Sequence, residues 1–247
     1  MFNPHPIHIG TSGWNYDIFL ERLYPKGTPQ KRFLEAYATR LKTVELNASF
    51  YRSFKEKVWE GWYSRTPPDF LWAVKAPRFF THIRRLKIEK ESMERFWKDV
   101  TPLREKHAAT LFQLPPNLKY ERELLEGFLA LLPSRKRIAL EARHQSWHEK
   151  EVWDILIKRN IAWVISDTSG RYPMSMVNTA DFSYIRLHGT NGLYQGAYGG
   201  AGIREWLKRI EEWGLETFVY FDNTDDGNAA TDAVLMQEMA KKAERFL

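Results

Sequence analysis

Eight short apolar runs, rich in β-branched and aromatic residues and set apart by polar stretches that are mostly helical in period, constrain this chain more than any other feature. The runs are "IHIGTSGW" (7–14), "TVELNASFY" (43–51), "FLWAVKAP" (70–77), "AATLFQLP" (108–115), "RIALEAR" (137–143), "IAWVISDT" (161–168), "FSYIRLHG" (182–189) and "ETFVYFDN" (216–223). Their length and composition predict strands. The stretches between them predict helices at 30–41, 55–65, 89–100, 121–132, 148–159 and 203–214, with a last helix over 229–247. Strand and helix alternate through most of the chain, as a parallel sheet requires. Eight strands in 247 residues favour a closed (β/α)8 TIM barrel in one domain, 1–247, over a doubly wound sheet. The link 167–181 contains Gly170 and Pro173, so one helix is expected to be missing between strands six and seven.

Composition bounds the rest. No cysteine is present, which excludes disulfides, thiol nucleophiles and thiolate metal sites. No run reaches the ~18 apolar residues of a membrane span, and the first ten residues lack the basic and apolar regions of a signal peptide. A cytoplasmic protein with no membrane partner is therefore expected. The excess of 37 basic over 31 acidic side chains gives a mild attraction to anionic partners.

Polar residues crowd the ends of the strands. Side chains alternate along a strand, so Glu45 and Asn47 are expected on one face, as are Glu141 and Arg143, and Arg186 and His188. Lys75, Gln113, Asp167 and Asn223 add one each from four other runs. In a TIM barrel the C-terminal strand ends and the loops after them build the active site. Two readings compete: an internal salt-bridged layer that only holds the fold, or the floor of a site. Charges taken out of water must be paired in either. The convergence of seven runs on one end favours the site, since Val, Ile and Leu would fill a purely structural layer.

The motifs "GTSGW", "VELNASFY", "FFTHIRRL", "LFQLPP", "LEARHQSW", "YIRLHG" and "YFDNT" occur in that order, and with them the chain resembles the YecE-like family, domain of unknown function 72, over residues 7 to about 233. The resemblance implies a TIM barrel with a shared polar pocket and supplies no mechanism. It maps onto Gly10, Ser12, Trp14, Glu45, Asn47, Tyr51, Lys75, Thr81, His82, Gln113, Glu141, Arg143, Trp147, Arg186, His188 and Asn223. One departure stands out: Asp222 replaces the first of two asparagines, and the His and Pro usual in the following loop are missing. The same stretch brushes against a calcium-loop pattern, but its twelfth position is Ala233 rather than Glu.

Two loops on the expected active face have the chemistry of anion binders. After strand three, "KAPRFFTHIRRLK" interleaves Lys75, Arg78, Arg84, Arg85 and Lys87 with Phe79, Phe80 and His82, a mixture suited to phosphates and bases. After strand seven, six glycines across 189–202 lead into a helix; their amides suit a phosphate, and a mobile lid is the alternative. For acid/base catalysis the candidates are Glu141, His188, Glu45 and Asp167. The expected substrate-binding set is Lys75, Arg143, Arg186, Asn47, Gln113, Tyr51, Ser12, Trp14, His82, Trp147 and Asn223. Glu45, Glu141, Asp167 and His188 carry donors for Mg2+ or Mn2+, but nearby cations oppose a metal. No tightly bound cofactor is expected, and a substrate-associated Mg2+ or Mn2+ stays open. The leading expectation is an enzyme acting on an anionic phosphorylated substrate, by phosphoester cleavage in a nucleotide or single-stranded nucleic acid. A sugar-phosphate isomerase or lyase and a non-catalytic nucleic-acid-binding protein are the alternatives.

Overall fold

A computed structural model describes residues 5–244. The strands are β1 (Ile7–Thr11), β2 (Thr43–Leu46), β3 (Leu71–Lys75), β4 (His107–Gln113), β5 (Ile138–Glu141), β6 (Ala162–Asp167), β7 (Phe182–Leu187) and β8 (Glu216–Phe221). All pair in parallel, in the order β1-β8-β7-β6-β5-β4-β3-β2. The helices are α1 (Phe33–Arg40), α2 (Ala48–Tyr51), α3 (Glu56–Ser64), α4 (Lys90–Val100), α5 (Arg122–Ala130), α6 (Lys150–Lys158), α7 (Gly199–Trp213) and α8 (Asn228–Glu244). This is an irregular (β/α)8 barrel, and no helix stands between β6 and β7. There the Thr179 hydroxyl donates to the Ile161 carbonyl at 2.6 Å and accepts from the Trp163 amide at 2.7 Å, covering backbone that a helix would leave to its own neighbours. The end of the expected last helix, 245–247, lies outside the described residues. Among the described residues no helix is long and apolar enough to cross a membrane.

The barrel closes at the β1–β2 seam by an unusual device. A Cβ on Gly10 would sit 2.2 Å from the Thr43 carbonyl oxygen, so only glycine lets the strands approach this closely. The Tyr37 hydroxyl, from α1, accepts from the Thr11 amide at 2.9 Å and donates to the Thr43 carbonyl at 2.8 Å, standing in for a missing ladder bond. Above it the Gly13 amide donates directly to the Glu45 carbonyl at 2.8 Å.

One correction concerns the second run. The expected strand 43–51 ends at Leu46; Asn47 adopts helical dihedrals and 48–51 form the short helix α2. The Ser49 hydroxyl lies within hydrogen-bond distance of the Leu46 and Lys75 carbonyls, and such short polar side chains favour turns over ladders. Asn47 therefore leaves the face that Glu45 occupies.

The interior is layered. Ala73, Ala109, Leu111, Ala139, Ala162, Val164, Phe182, Tyr184, Phe218 and Tyr220 fill the barrel, while the opposite faces of the same strands pack on the helices through residues such as Trp72, Phe112, Ile185 and Phe221. Two residues further along the inward rows the side chains become polar: Lys75, Glu141, Arg186 and Asp222 are charged, and Gln113 and Ser166 are neutral.

Candidate active site

The inward rows end in Ser12, Glu45, Lys75, Gln113, Glu141, Arg143, Arg186, His188 and Asp222 at the C-terminal mouth. Arg186 is its centre, fully buried. Its Nη2 donates to Glu45 Oε1 at 2.8 Å and to Asp222 Oδ2 at 2.9 Å, its Nη1 donates to Glu141 Oε2 at 2.8 Å, and its Nε donates to Glu45 Oε2 at 3.1 Å. The remaining Nη1 donor faces His188 Nε2 at 3.2 Å. All five guanidinium protons thus have partners. Because a guanidinium only donates, Nε2 accepts, which assigns the ring proton of His188 to Nδ1, 2.9 Å from Asp222 Oδ2 but poorly aligned with it.

Glu45 is held from below and from the seam as well. The Tyr184 hydroxyl donates to its Oε2 at 2.7 Å and the Ser12 hydroxyl to its Oε1 at 2.8 Å. Glu141 accepts from Arg143 Nε at 2.7 Å through its second oxygen. Burial alone would raise the pKa of Glu141, but Arg143, Arg186 and Lys75 more than offset this and hold it well below the usual carboxylate range. Burial likewise opposes ionisation of Asp222, and Arg186 and His188 overcome it, leaving a pKa of about 2.

The other side of the mouth is unlike this. Lys75 is buried, and its Nζ rests 4.4 Å from the centroid of the Phe50 ring with no hydrogen-bond or ion-pair partner among the described residues. Burial, reinforced by Arg186 and resisted by Glu45, Glu141 and Asp222, lowers its pKa to about 8. Arg143 stacks 4.8 Å above the Tyr172 ring and spends only its Nε on Glu141, so both of its terminal amino groups are without partners among the described residues. His82 meets the edge of Phe50 at 5.0 Å and shares a 2.9 Å hydrogen bond between its Nδ1 and the Thr81 hydroxyl. Burial, then Lys75, Arg78 and Arg143, push its pKa down to about 4, so its ring is neutral at pH 7.

A cleft of about 640 Å3 opens beside this mouth, between the loops after β1 and β2, and is lined by Trp14, Tyr16, Asn47, Tyr51, Phe54 and Trp62 among others. Tyr16 separates it from the charged layer: its hydroxyl donates to the Ser12 carbonyl at 2.8 Å. Burial, with Asp222 and Glu45 behind it, raises the Tyr16 pKa, so the hydroxyl keeps its proton. Asn47 contributes a buried Oδ1 with no partner among the described residues. Trp14, Asn47 and Tyr51 thus line the cleft, while Ser12 lies behind it on Glu45.

Three of the expected site residues stand elsewhere. Asp167 accepts from the Tyr198 hydroxyl at 3.1 Å and from the Ser169 amide at 3.1 Å, on the outer side of β6. Asn223 donates to the Gly196 carbonyl at 2.8 Å and to Asp232 Oδ2 at 2.9 Å, facing α8. Trp147 is buried with its indole N–H on the Leu118 carbonyl at 2.7 Å. Gln113 reaches the mouth, its amide donating weakly to the Leu114 carbonyl at 3.3 Å. Among the described residues no three His, Asp or Glu side chains are placed to share a metal ion; the carboxylates that converge do so on a guanidinium.

The glycine-rich loop also differs from expectation. The amides of Tyr198 and Gly199, at the N-terminus of α7, donate to Asp232 at 2.9 and 3.2 Å, and that of Gly196 donates to Asp226 at 3.0 Å. These donors are taken by the protein's own carboxylates. The loop instead lays Tyr194 over His188, ring centroids 5.6 Å apart, with Tyr194 in a left-handed backbone conformation (φ 71°) that a bulky residue rarely adopts.

Asp222, Phe50, Tyr16 and Tyr194 belong to the site although residue type did not single them out. Strand parity finds the first: Tyr184, Arg186 and His188 alternate inward on β7, and Tyr220 and Asp222 do the same on β8.

Residues 8–246 match the family described as protein of unknown function DUF72. The chain belongs to that family. A DUF72 family protein from Thermotoga maritima shares the fold with a TM-score of 0.86 and 29% identity, covering 96% of this chain and all of that one. A DUF72 family protein from Enterococcus faecalis V583 superimposes with a TM-score of 0.83 at 20% identity over 95% of each chain. The UPF0759 protein YunF of Bacillus subtilis (strain 168) is 26% identical over 268 residues, 94% of each chain. Family membership agrees with the YecE-like motifs and the barrel.

Proposed function

We propose that this DUF72 protein is an enzyme that holds a small anionic carbonyl compound, such as a sugar phosphate, at the barrel mouth and moves a proton on it, as an isomerase or lyase does. The observation that carries the reading is the division of labour among the cations. Arg186 is saturated by three carboxylates and His188, whereas among the described residues Arg143 keeps two amino groups and Lys75 its amine without partners, both close enough to Glu141 to lower its pKa. Arg143 has the planar fork that grips a carboxylate or phosphate. Lys75, with a pKa of about 8, exchanges a proton near neutrality, which Glu141 and Asp222 are too acidic to do efficiently. Arg143 and protonated Lys75 would stabilise the oxyanion of an enolate as it forms.

Phosphoester cleavage in a nucleotide or nucleic acid is the second reading. It is favoured by the exposed Arg78, Phe79 and Arg84 on the loop after β3. It loses support at the expected bases, since Glu141 and both nitrogens of His188 already face protein groups.

The test is thermal protection by orthophosphate and by pyruvate at millimolar concentration. Ligand at ~100 times its Kd stabilises by ~2.7 kcal/mol. Both anions, or either, should raise the melting temperature of the wild type and fail to do so in Arg143→Gln. Unchanged melting of the wild type with every anion tried defeats the proposal.

A further inference from the structure

Among the described residues two lysines are buried, and they are built differently. Lys106, 4% exposed, donates to the carbonyls of Tyr63 and Thr66, both at 2.7 Å, and packs on the Tyr63 ring. That is what a structural lysine requires, because a buried ammonium without acceptors loses its hydration with nothing in return. Lys75, 8% exposed, has a ring beneath it and no acceptor at all among the described residues. Its Nζ is also absent from the polar atoms sealed away from solvent, so it opens onto the mouth. A lysine placed this way suits an amine that reacts, in a pocket that excludes water from its stem.

We infer that Lys75 is a covalent catalyst, its Nζ condensing with the carbonyl carbon of an anionic aldehyde or ketone to form an iminium while Arg143 holds the anionic group. The inference rests on the reading that the mouth takes an anionic carbonyl compound, and it names the step by which that compound is activated. The charges of the site agree with it. Glu45, Glu141 and Asp222 set three negative charges against the two guanidinium groups of Arg143 and Arg186. The layer is therefore one cation short unless Nζ carries a positive charge, and a protonated Schiff base supplies one where the ammonium did. Solvent at the mouth carries the protons, since Nζ is not sealed from it; His82 rests on the same Phe50 ring as Lys75, neutral, and its Nε2 has no partner among the described residues.

The step balances. Nζ gives one proton to solvent at the mouth, and its lone pair attacks the carbonyl carbon as the C=O π pair moves to oxygen. A second proton passes from nitrogen to that oxygen, giving a neutral carbinolamine. A proton returns from solvent to the hydroxyl, the C–O bond breaks, water leaves, and the nitrogen lone pair closes the C=N bond. No redox partner is needed, and the iminium then withdraws electrons from the neighbouring carbon, where a C–H or C–C bond can break.

Trapping decides it. The full chain is incubated with pyruvate, and separately with glyceraldehyde 3-phosphate, in the presence of cyanoborohydride at pH 7.5, which reduces an iminium to a stable secondary amine. Intact mass gives the stoichiometry and peptide mapping the position. The expected result is one adduct per chain at Lys75, exceeding any surface lysine about tenfold or more, since at this pH the free-amine fraction of Lys75 is far larger. Lys75→Met should lose that adduct, and Arg143→Gln should reduce it. Mapping the wild type needs no variant to fold. Adducts spread evenly over surface lysines, an adduct that persists in a folded Lys75→Met, or no adduct with either compound overturns the inference. If no adduct forms while anions still protect wild type and not Arg143→Gln, the iminium fails and proton transfer at the same mouth survives. If neither is seen, both readings fall.

Discussion

The two sides of the barrel mouth use the same residue types to opposite ends. On the side of β2, β7 and β8, Arg186 is enclosed by Glu45, Glu141 and Asp222, with Tyr184, Ser12 and His188 filling the remaining positions. On the side of β3 and β5, Lys75 and Arg143 have fewer partners than donors. The first side has the completeness of a structural network, in which each buried charge is neutralised and hydrogen-bonded. The second has the incompleteness of a site, where unpaired donors await a ligand. The closed side serves the open one by fixing Glu141, which positions Arg143, and by setting the negative field that Lys75 feels.

The largest expected effect comes from breaking the closed side. Arg186→Met removes the one cation shared by three buried carboxylates, and loss of one partner from a buried pair already costs ~3–5 kcal/mol. Urea unfolding should show at least this loss, or no folded protein at all. A loss below ~1 kcal/mol would mean that the carboxylates reach water in the variant and that the two sides are not distinct.

Lys75→Met should behave in the opposite way. At pH 7 the native state carries a buried ammonium without acceptors, so the thioether, of similar length and apolar, is expected to stabilise. The native pKa is about 8, below the ordinary value of 10.5. Between those values the unfolded chain binds a proton that the native state has released, so wild-type stability rises with pH through this window. A shift of this size corresponds to ~3 kcal/mol. The variant lacks this contribution. Its advantage in melting temperature should be greatest near pH 7 and should shrink by pH 9.5, and tyrosine ionisation above that range affects both proteins alike. An advantage that is constant with pH would show that Lys75 titrates normally and is not part of an open site.

Much of this arrangement is legible in the residues, because a parallel strand alternates and the barrel has one active end. The eight runs, the missing helix between β6 and β7 and the inward set Glu45, Lys75, Glu141, Arg143, Arg186 and His188 all follow from period and position. Parity, applied strictly, also separates Asp222 from Asn223 and turns Asp167 outward. What could not be read is saturation. Arg143, Arg186 and Lys75 are equivalent as cations in a string of letters, and only the convergence of β2, β5, β7 and β8 across the barrel shows that Arg186 has no donor left. The glycine-rich loop shows the same limit: the amides of Gly196, Tyr198 and Gly199 are occupied by Asp226 and Asp232, which are distant in sequence.

That loop gives the smallest effect and the sharpest control. Asp232 is buried and accepts from the amides of Tyr198 and Gly199 and from Asn223 Nδ2. It acts as the N-terminal cap of α7, supplied from α8. Asp232→Asn keeps one acceptor oxygen, and removing the charge from a capped helix N-terminus costs ~1 kcal/mol. Asp232→Ala leaves two amides without an acceptor and should cost ~2 kcal/mol. Neither change touches Arg143 or Lys75, so protection by orthophosphate should persist in Asp232→Asn with an unchanged shift in melting temperature. In Asp232→Ala the vacated amides offer an anion a second place to bind, and protection should grow rather than vanish. If Asp232→Asn folds and loses its protection while Arg143→Gln keeps it, the anion binds at the loop after β7. The open side of the mouth would then be in the wrong place.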